Sequence, residues 1–279
     1  MRKYLKVIFK NHIKSILSLL ATTENDNFEI KYIAAKPKKK LPISLSKNEI
    51  FLPVDEYTAP HILKHGKWDY NLIKFISKHC KKNSFFFDIG GNIGQITMQL
   101  VEKKIKIKKY FCFEPDYELF SIMKKNLNNK YCVLFNYGLG VKDQTKILNV
   151  NRLNKSDNTF LESKKTQSMH TKYARIKNVN TILNKIINDY KIKNIIYKSD
   201  TQGMDEEIFL SIKNDFLNKF YLSILEISNF NFIEKNKRNF IRTLSAFNHF
   251  YNYNLKKINI SIIENMIKQK KEFVIFLKK

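Results

Sequence analysis

The chain has 279 residues, 43% hydrophobic and 13% aromatic, which supports a packed core and excludes a disordered polymer. Its net charge of +26 invites a polyanionic partner. Yet only five of the 51 basic residues are arginine, and the lysine excess comes with many Ile, Asn, Phe and Tyr, all A/T-rich codons, so there is no strong case for nucleic acid. Cys80, Cys112 and Cys132 form no CxxC pair, and no apolar run nears the roughly 18 residues of a membrane span, which argues for a reducing, cytoplasmic setting.

In chain order, residues 1–67 read as an N-terminal extension and 68–279 as the main domain. Leu5, Ile8, Phe9, Ile13, Ile16, Leu17 and Leu20 recur at helical spacing, with Lys3, Lys6, Lys10 and Lys14 mostly on another face. This helix either docks on protein or lies on an anionic membrane surface, which makes residues 1–20 a possible peripheral membrane contact. Lys36-Pro37-Lys38-Lys39-Lys40 reads as a solvated loop. A helix follows with Trp68, Leu72, Phe75 and Ile76 on its apolar face. From residue 84 strands and helices alternate, which predicts a Rossmann-like α/β fold with a mostly parallel seven-stranded sheet and helices on both faces. The expected strands are Ser84–Asp88, Lys109–Glu114, Tyr131–Asn136 (closing in Gly138-Leu139-Gly140), Asn194–Asp200, Tyr221–Ile227, Phe250–Leu255 and Phe273–Leu277. Helices are expected at about 95–104, 118–128, 181–190 and 234–247, and an insertion with a hairpin fills 144–179.

Three motifs carry chemistry. Asp88-Ile89-Gly90-Gly91-Asn92-Ile93-Gly94 ends a strand in a glycine turn that opens into a helix, an arrangement whose exposed amides and helix dipole favour an anionic ligand group. Its glycine spacing is not the GxGxxG of dinucleotide sites. Glu114, at the end of the second strand, is placed to accept hydrogen bonds from ribose hydroxyls. In Tyr197-Lys198-Ser199-Asp200, Lys198 and Asp200 share a strand face, and charges inside a buried strand are costly unless paired or used. An ion pair of Lys198 with Asp200 or Glu226 is the structural alternative to a catalytic role.

Together these motifs resemble the FkbM family of S-adenosylmethionine-dependent methyltransferases. Asp88–Gly94 resembles its D-[VI]-G-A-N-x-G with Gly91 for alanine, Phe113-Glu114-Pro115 its FEP, and Gly138-Leu139-Gly140 its A-L-G. Lys198–Asp205 resembles its K-x-D-x-[EQ]-G-x-E with Asp205 for glutamate, and Glu226-Ile227 the acidic position of strand five. The T-L-D-D stretch appears as Thr181-Ile182-Leu183-Asn184, without its acids. The resemblance implies an S-adenosylmethionine cofactor held by Asp88, Gly90, Gly91, Asn92, Gly94 and Glu114. It implies methyl transfer to a hydroxyl of a small-molecule or glycan acceptor, with Asp200 as base and Lys198 and Glu226 assisting. His170, His249 and Asp157 are weaker candidates, and the His61/His65 pair lacks a third metal ligand. An RNA 2′-O-methyltransferase and a non-catalytic binding module are the alternatives. The first predicts steeply salt-dependent RNA binding, the second no heat on titration with S-adenosylmethionine.

Overall fold

The computed structural model describes residues 32–35 and 50–279, except 168; the helix expected over residues 1–20 and the 36–40 loop lie outside them. Its elements are β1 (Tyr32–Ala35), β2 (Ile50–Pro53), α1 (Thr58–His65), α2 (Tyr70–His79), β3 (Ser84–Ile89), α3 (Gln95–Glu102), β4 (Ile107–Phe113) and α4 (Tyr117–Asn126). Next come β5 (Cys132–Phe135), β6 (Gly138–Gly140), β7 (Gln144–Asn151), β8 (Met169–Asn178), α5 (Val179–Tyr190), β9 (Ile195–Ser199) and α6 (Asp205–Ser211). The chain continues through α7 (Asn214–Leu217), β10 (Phe220–Ile227), α8 (Phe230–Leu244), β11 (His249–Asn252), β12 (Lys257–Ile258), α9 (Ile260–Lys268) and β13 (Phe273–Lys278).

The strand β3 is buried along its whole length, as its unbroken apolar run demands of a central parallel strand. Its period of two sends Phe85, Phe87 and Ile89 into one core and Phe86 into the other. Residues of α5, α6 and α8 cover the first face; α1, α2, α3 and α4 cover the second, together with Ile50 and Leu52 of β2. The result is three layers, helices on a sheet on helices.

The main sheet corrects the expected seven, mostly parallel strands: it has eight and is mixed, in the order β12-β11-β13-β10-β9-β3-β4-β5. The five strands from β5 to β10 are mutually parallel, whereas β13 is antiparallel to both β10 and β11. The crossover through α8 brings β11 in with the direction of β10. A hairpin closed by Asn252 Oδ1, which accepts from Lys256 N at 3.1 Å, reverses the chain into β12. Crossing over again through α9 keeps that reversed direction, so β13 enters the gap running the other way. That helix was not anticipated, although Asn259 caps it and Ile263 and Ile267 give it an i, i+4 apolar face.

The 144–179 insertion contains the expected hairpin, with β7 and β8 paired from Gln144↔Ile176 to Asn151↔Met169. The Gly138-Leu139-Gly140 stretch does not close the third strand. It forms β6, which leaves the main sheet and pairs with β8 in a separate three-stranded sheet. Strand order reverses between β3 and β9, so the carboxyl ends of β3, β4 and β9 open onto the crevice where α/β folds hold ligands.

Candidate active site

The glycine turn after β3 is held from behind by a buried ion pair. Lys198 Nζ lies 3.0 Å from Asp88 Oδ1 and donates to the Gly90 carbonyl at 2.7 Å, while Thr97 Oγ1 donates to Asp88 Oδ2 at 2.9 Å. Asp88 and Lys198 are direct partners in the β3–β9 register, which puts their side chains on one face. Burial works against the Lys198 charge, but the carboxylates of Asp88 and Asp200 outweigh it and hold the ammonium above its usual range. Lys198 therefore pairs with neither Asp200 nor Glu226.

The turn is not an anion cradle. Gly90 N and Gly91 N donate to the Phe113 carbonyl at 3.1 and 2.9 Å, and Asn92 N donates to Glu114 Oε2 at 2.8 Å. Ile93 N is taken by Asn92 Oδ1 and Gly94 N by the Gly91 carbonyl. Five consecutive amides are thus satisfied within the protein, which corrects the expectation of exposed donors. Gly90 has φ of +73° and touches the end of β9: a Cβ there would stand 1.9 Å from the Asp200 carbonyl oxygen. That close approach sets Asp200 beside the turn.

In front of the turn lies a cleft. Of the six residues expected to hold a cofactor, Gly90, Asn92 and Glu114 line it, while Asp88, Gly91 and Gly94 stand behind. Glu114 accepts from Asn92 N through one oxygen and from Asp116 N at 2.9 Å through the other. Burial pushes its carboxyl up to about 8, with the Asp116 charge adding to the rise and the two amide bonds opposing it. Gln95, at the start of α3, also lines the cleft, and its Oε1 is buried without a hydrogen-bond partner among the described residues. Trp68, Leu119, Leu139, Phe160 and Met204 give apolar walls. The insertion closes the far side, tied down by Lys155 N to Asp55 Oδ2 at 3.0 Å and by Asn158 Nδ2 to Asp116 Oδ2 at 3.1 Å. Acceptor oxygens on apolar walls suit a ligand that brings hydroxyl donors and positive charge.

Asp200 lines this cleft and also a smaller cavity behind it, which Lys198 and Glu226 share with Asp69 and Tyr253. Gln202 joins the two acids: its Nε2 lies 3.0 Å from Asp200 Oδ1 and 3.3 Å from Glu226 Oε1. Burial, then the charges of Asp200 and Asp205, drive the Glu226 carboxyl well above its ordinary range. Sequence reasoning gave no role to Gln202, Asp69 or Tyr253. The first sits inside a recognised motif, whereas the others arrive from distant segments with no local signal. His170 accepts from Arg152 Nε at 3.3 Å on the insertion, and neither it nor His249 lines either cavity.

The strand order and the crevice together define the architecture. The chain has a Rossmann-like α/β fold. No family model and no curated protein matches it. Among solved structures it is similar to methyltransferase FkbM from Methylobacillus flagellatus KT, at 11% identity over 76% of this chain and 48% of that one, with a TM-score of 0.42. It is also similar to Trm5b from Pyrococcus abyssi (9% identity, 93% of this chain, 61% of that one, TM-score 0.40). A third similarity is to M. capricolum TrmK in complex with S-adenosyl-homocysteine (15% identity, 75% and 67%, TM-score 0.35). The chain spans about half the length of the first of these proteins.

Proposed function

We propose that the chain is an S-adenosylmethionine-dependent methyltransferase of FkbM type that methylates a hydroxyl of a sugar, polysaccharide, glycolipid or secondary metabolite. The observation that carries this reading is the spent turn. With every amide from Gly90 to Gly94 bonded internally, the cleft offers acceptors where a pyrophosphate would need donors. A nucleoside with a ribose diol and a sulfonium presents the reverse pattern, and Glu114 and Gln95 match it.

When bound, S-adenosylmethionine supplies a methyl group on a good leaving group, so the protein's tasks are alignment and the handling of one proton. Asp200, at the border of the two cavities, is the group that would take the proton of the acceptor's hydroxyl when it is methylated. Gln202 holds one of its oxygens and fixes its orientation. Lys198 acts as a positioning residue, because its ammonium is committed to Asp88 and to the turn.

Calorimetric titration tests the reading. S-Adenosylhomocysteine is expected to bind the wild-type protein, and NAD and ATP to give no heat. Absence of S-adenosylhomocysteine binding, or tighter binding of either phosphate-bearing nucleotide, overturns it.

A further inference from the structure

The smaller cavity draws carboxylates from three separate elements: Asp69 just before α2, Asp200 after β9, and Glu226 on β10. Leu72, Ile224 and Val274 give it apolar sides. Tyr253, from the β11–β12 hairpin, donates its hydroxyl to Asp69 Oδ1 at 3.1 Å. The lysines near these acids are already committed: Lys198 to Asp88 at 3.0 Å and Lys164 to Glu272 at 2.6 Å. In a chain of net charge +26, three carboxylates thus share one cavity with a single lysine, Lys198, whose ammonium is bonded to Asp88.

A second observation points to a ligand. Glu226 Oε2 is shut off from solvent and has no hydrogen-bond partner among the described residues, although Glu226 lines the cavity. An acceptor atom of that kind costs free energy until a donor reaches it. Burial first, and the Asp200 charge second, hold both Asp69 and Glu226 above the ordinary carboxylate range, against the weaker opposing pull of Lys198 on Asp69 and of Lys164 on Glu226. Among the described residues no three acids, histidines or cysteines are grouped to hold a metal. Asp200 also borders the donor cleft, so the two cavities meet at this residue.

We propose that this cavity recognises the methyl acceptor through a protonated amine, so that the acceptor is an amino alcohol or amino sugar rather than a neutral polyol. The proposal rests on the methyltransferase reading above. The ammonium sits among Asp69, Glu226 and the Tyr253 ring, and the hydroxyl beside it faces Asp200.

The test compares D-glucosamine, N-acetylglucosamine and D-glucose, which differ in one substituent. Each is titrated into the wild-type protein, Asp69→Asn and Glu226→Gln, with S-adenosylhomocysteine titrated separately. Asparagine suits the left-handed backbone at position 69 (φ +44°), and glutamine keeps an oxygen for Gln202. Where one variant melts early, the other is read alone, since each removes one of the two carboxylates around the ammonium. Glucosamine is expected to bind the wild type about tenfold or more tighter than the two neutral sugars. The variants are expected to bring that ratio near one without changing S-adenosylhomocysteine affinity. Equal affinity for the three sugars, no binding of any, or a ratio untouched by the variants overturns the proposal. Glucosamine selectivity without S-adenosylhomocysteine binding keeps the cation site and refutes the methyltransferase reading; the opposite pattern refutes the amine and keeps the methyltransferase.

Discussion

Cofactor affinity should depend on pH through Glu114. Burial holds this carboxyl at about 8, compared with 4.5 for a free side chain. A ribose diol donates hydrogen bonds, so it selects the ionised carboxylate. Below about 8 that form must be generated at a cost of about 1.4 kcal/mol per pH unit. At about pH 6 the deficit is two units, roughly 2.7 kcal/mol, or on the order of a hundredfold in affinity. The ligand-free protein shows the linked effect. Between about 4.5 and 8 the unfolded chain gives up this proton before the folded one does, so Glu114 lowers stability as pH rises through that window. Calorimetry of S-adenosylhomocysteine binding across this range, in buffers of different ionisation enthalpy, measures both quantities. Affinity should climb with pH and level off near 8, with close to one proton released per ligand below it. Glu114→Gln should bind weakly and lose the pH dependence. A wild-type affinity that stays flat from about pH 6 to 8 refutes the assignment of Glu114 to the ribose.

Adjacent glycines should respond in opposite ways. Gly90→Ala places a methyl 1.9 Å from the Asp200 carbonyl oxygen at φ +73° and should abolish S-adenosylhomocysteine binding. Gly91→Ala meets Met123 Sδ at 3.3 Å, and Cys112 Cβ and the Phe113 carbonyl oxygen at 3.6 Å, so binding should persist and stability should change by about 1 kcal/mol or less, as read by urea titration. Lys198→Met leaves Asp88 buried without its cation and should cost about 3–5 kcal/mol in the same titration. Asp200→Asn should bind S-adenosylhomocysteine normally and lose about 10²–10⁴-fold in kcat once an acceptor is in hand; full turnover removes Asp200 as the base.

Much of this organisation is legible in the sequence because it is local. The run Phe85-Phe86-Phe87 declares a strand buried on both faces, the glycines after Asp88 declare a turn, and Glu114 follows where a second strand must end. Relations between distant segments are not legible. Lys198 shares its strand face with Asp200, which makes that pair the natural guess. Its actual partner, Asp88, is fixed by the β3–β9 register across more than a hundred residues. The amides of the turn look free in sequence because nothing there shows the Phe113 carbonyl turned towards them. The antiparallel entry of β13 likewise depends on a two-residue strand, β12, too short to leave a pattern.

The departures from the FkbM-like pattern acquire a physical meaning at the start of α6. Asp205, where the family motif has glutamate, is fully buried. It accepts from Ser199 Oγ at 2.5 Å, Thr201 N at 3.0 Å and Gly203 N at 3.4 Å. Those donors belong to the loop that carries Asp200, so the acid shapes that loop and does not reach substrate. Glu206, next along, accepts from Ser228 N at 2.6 Å and Asn229 N at 2.9 Å, which fixes the end of β10 beyond Glu226. Two adjacent carboxylates at one helix start thus hold the two loops flanking the proposed acceptor cavity. Burial, followed by the neighbouring charge, raises both. Such a cost persists where the surrounding structure needs the geometry it secures. Here that geometry is the approach of Asp200 and Glu226 to a common cavity, with Gln202 bridging them and Lys198, at its wall, bonded to Asp88. A lysine free to swing towards Asp200 would neutralise the negative charge on which recognition of an amine depends. The buried Asp88–Lys198 pair therefore shapes the donor turn and keeps the acceptor cavity anionic with the same bond.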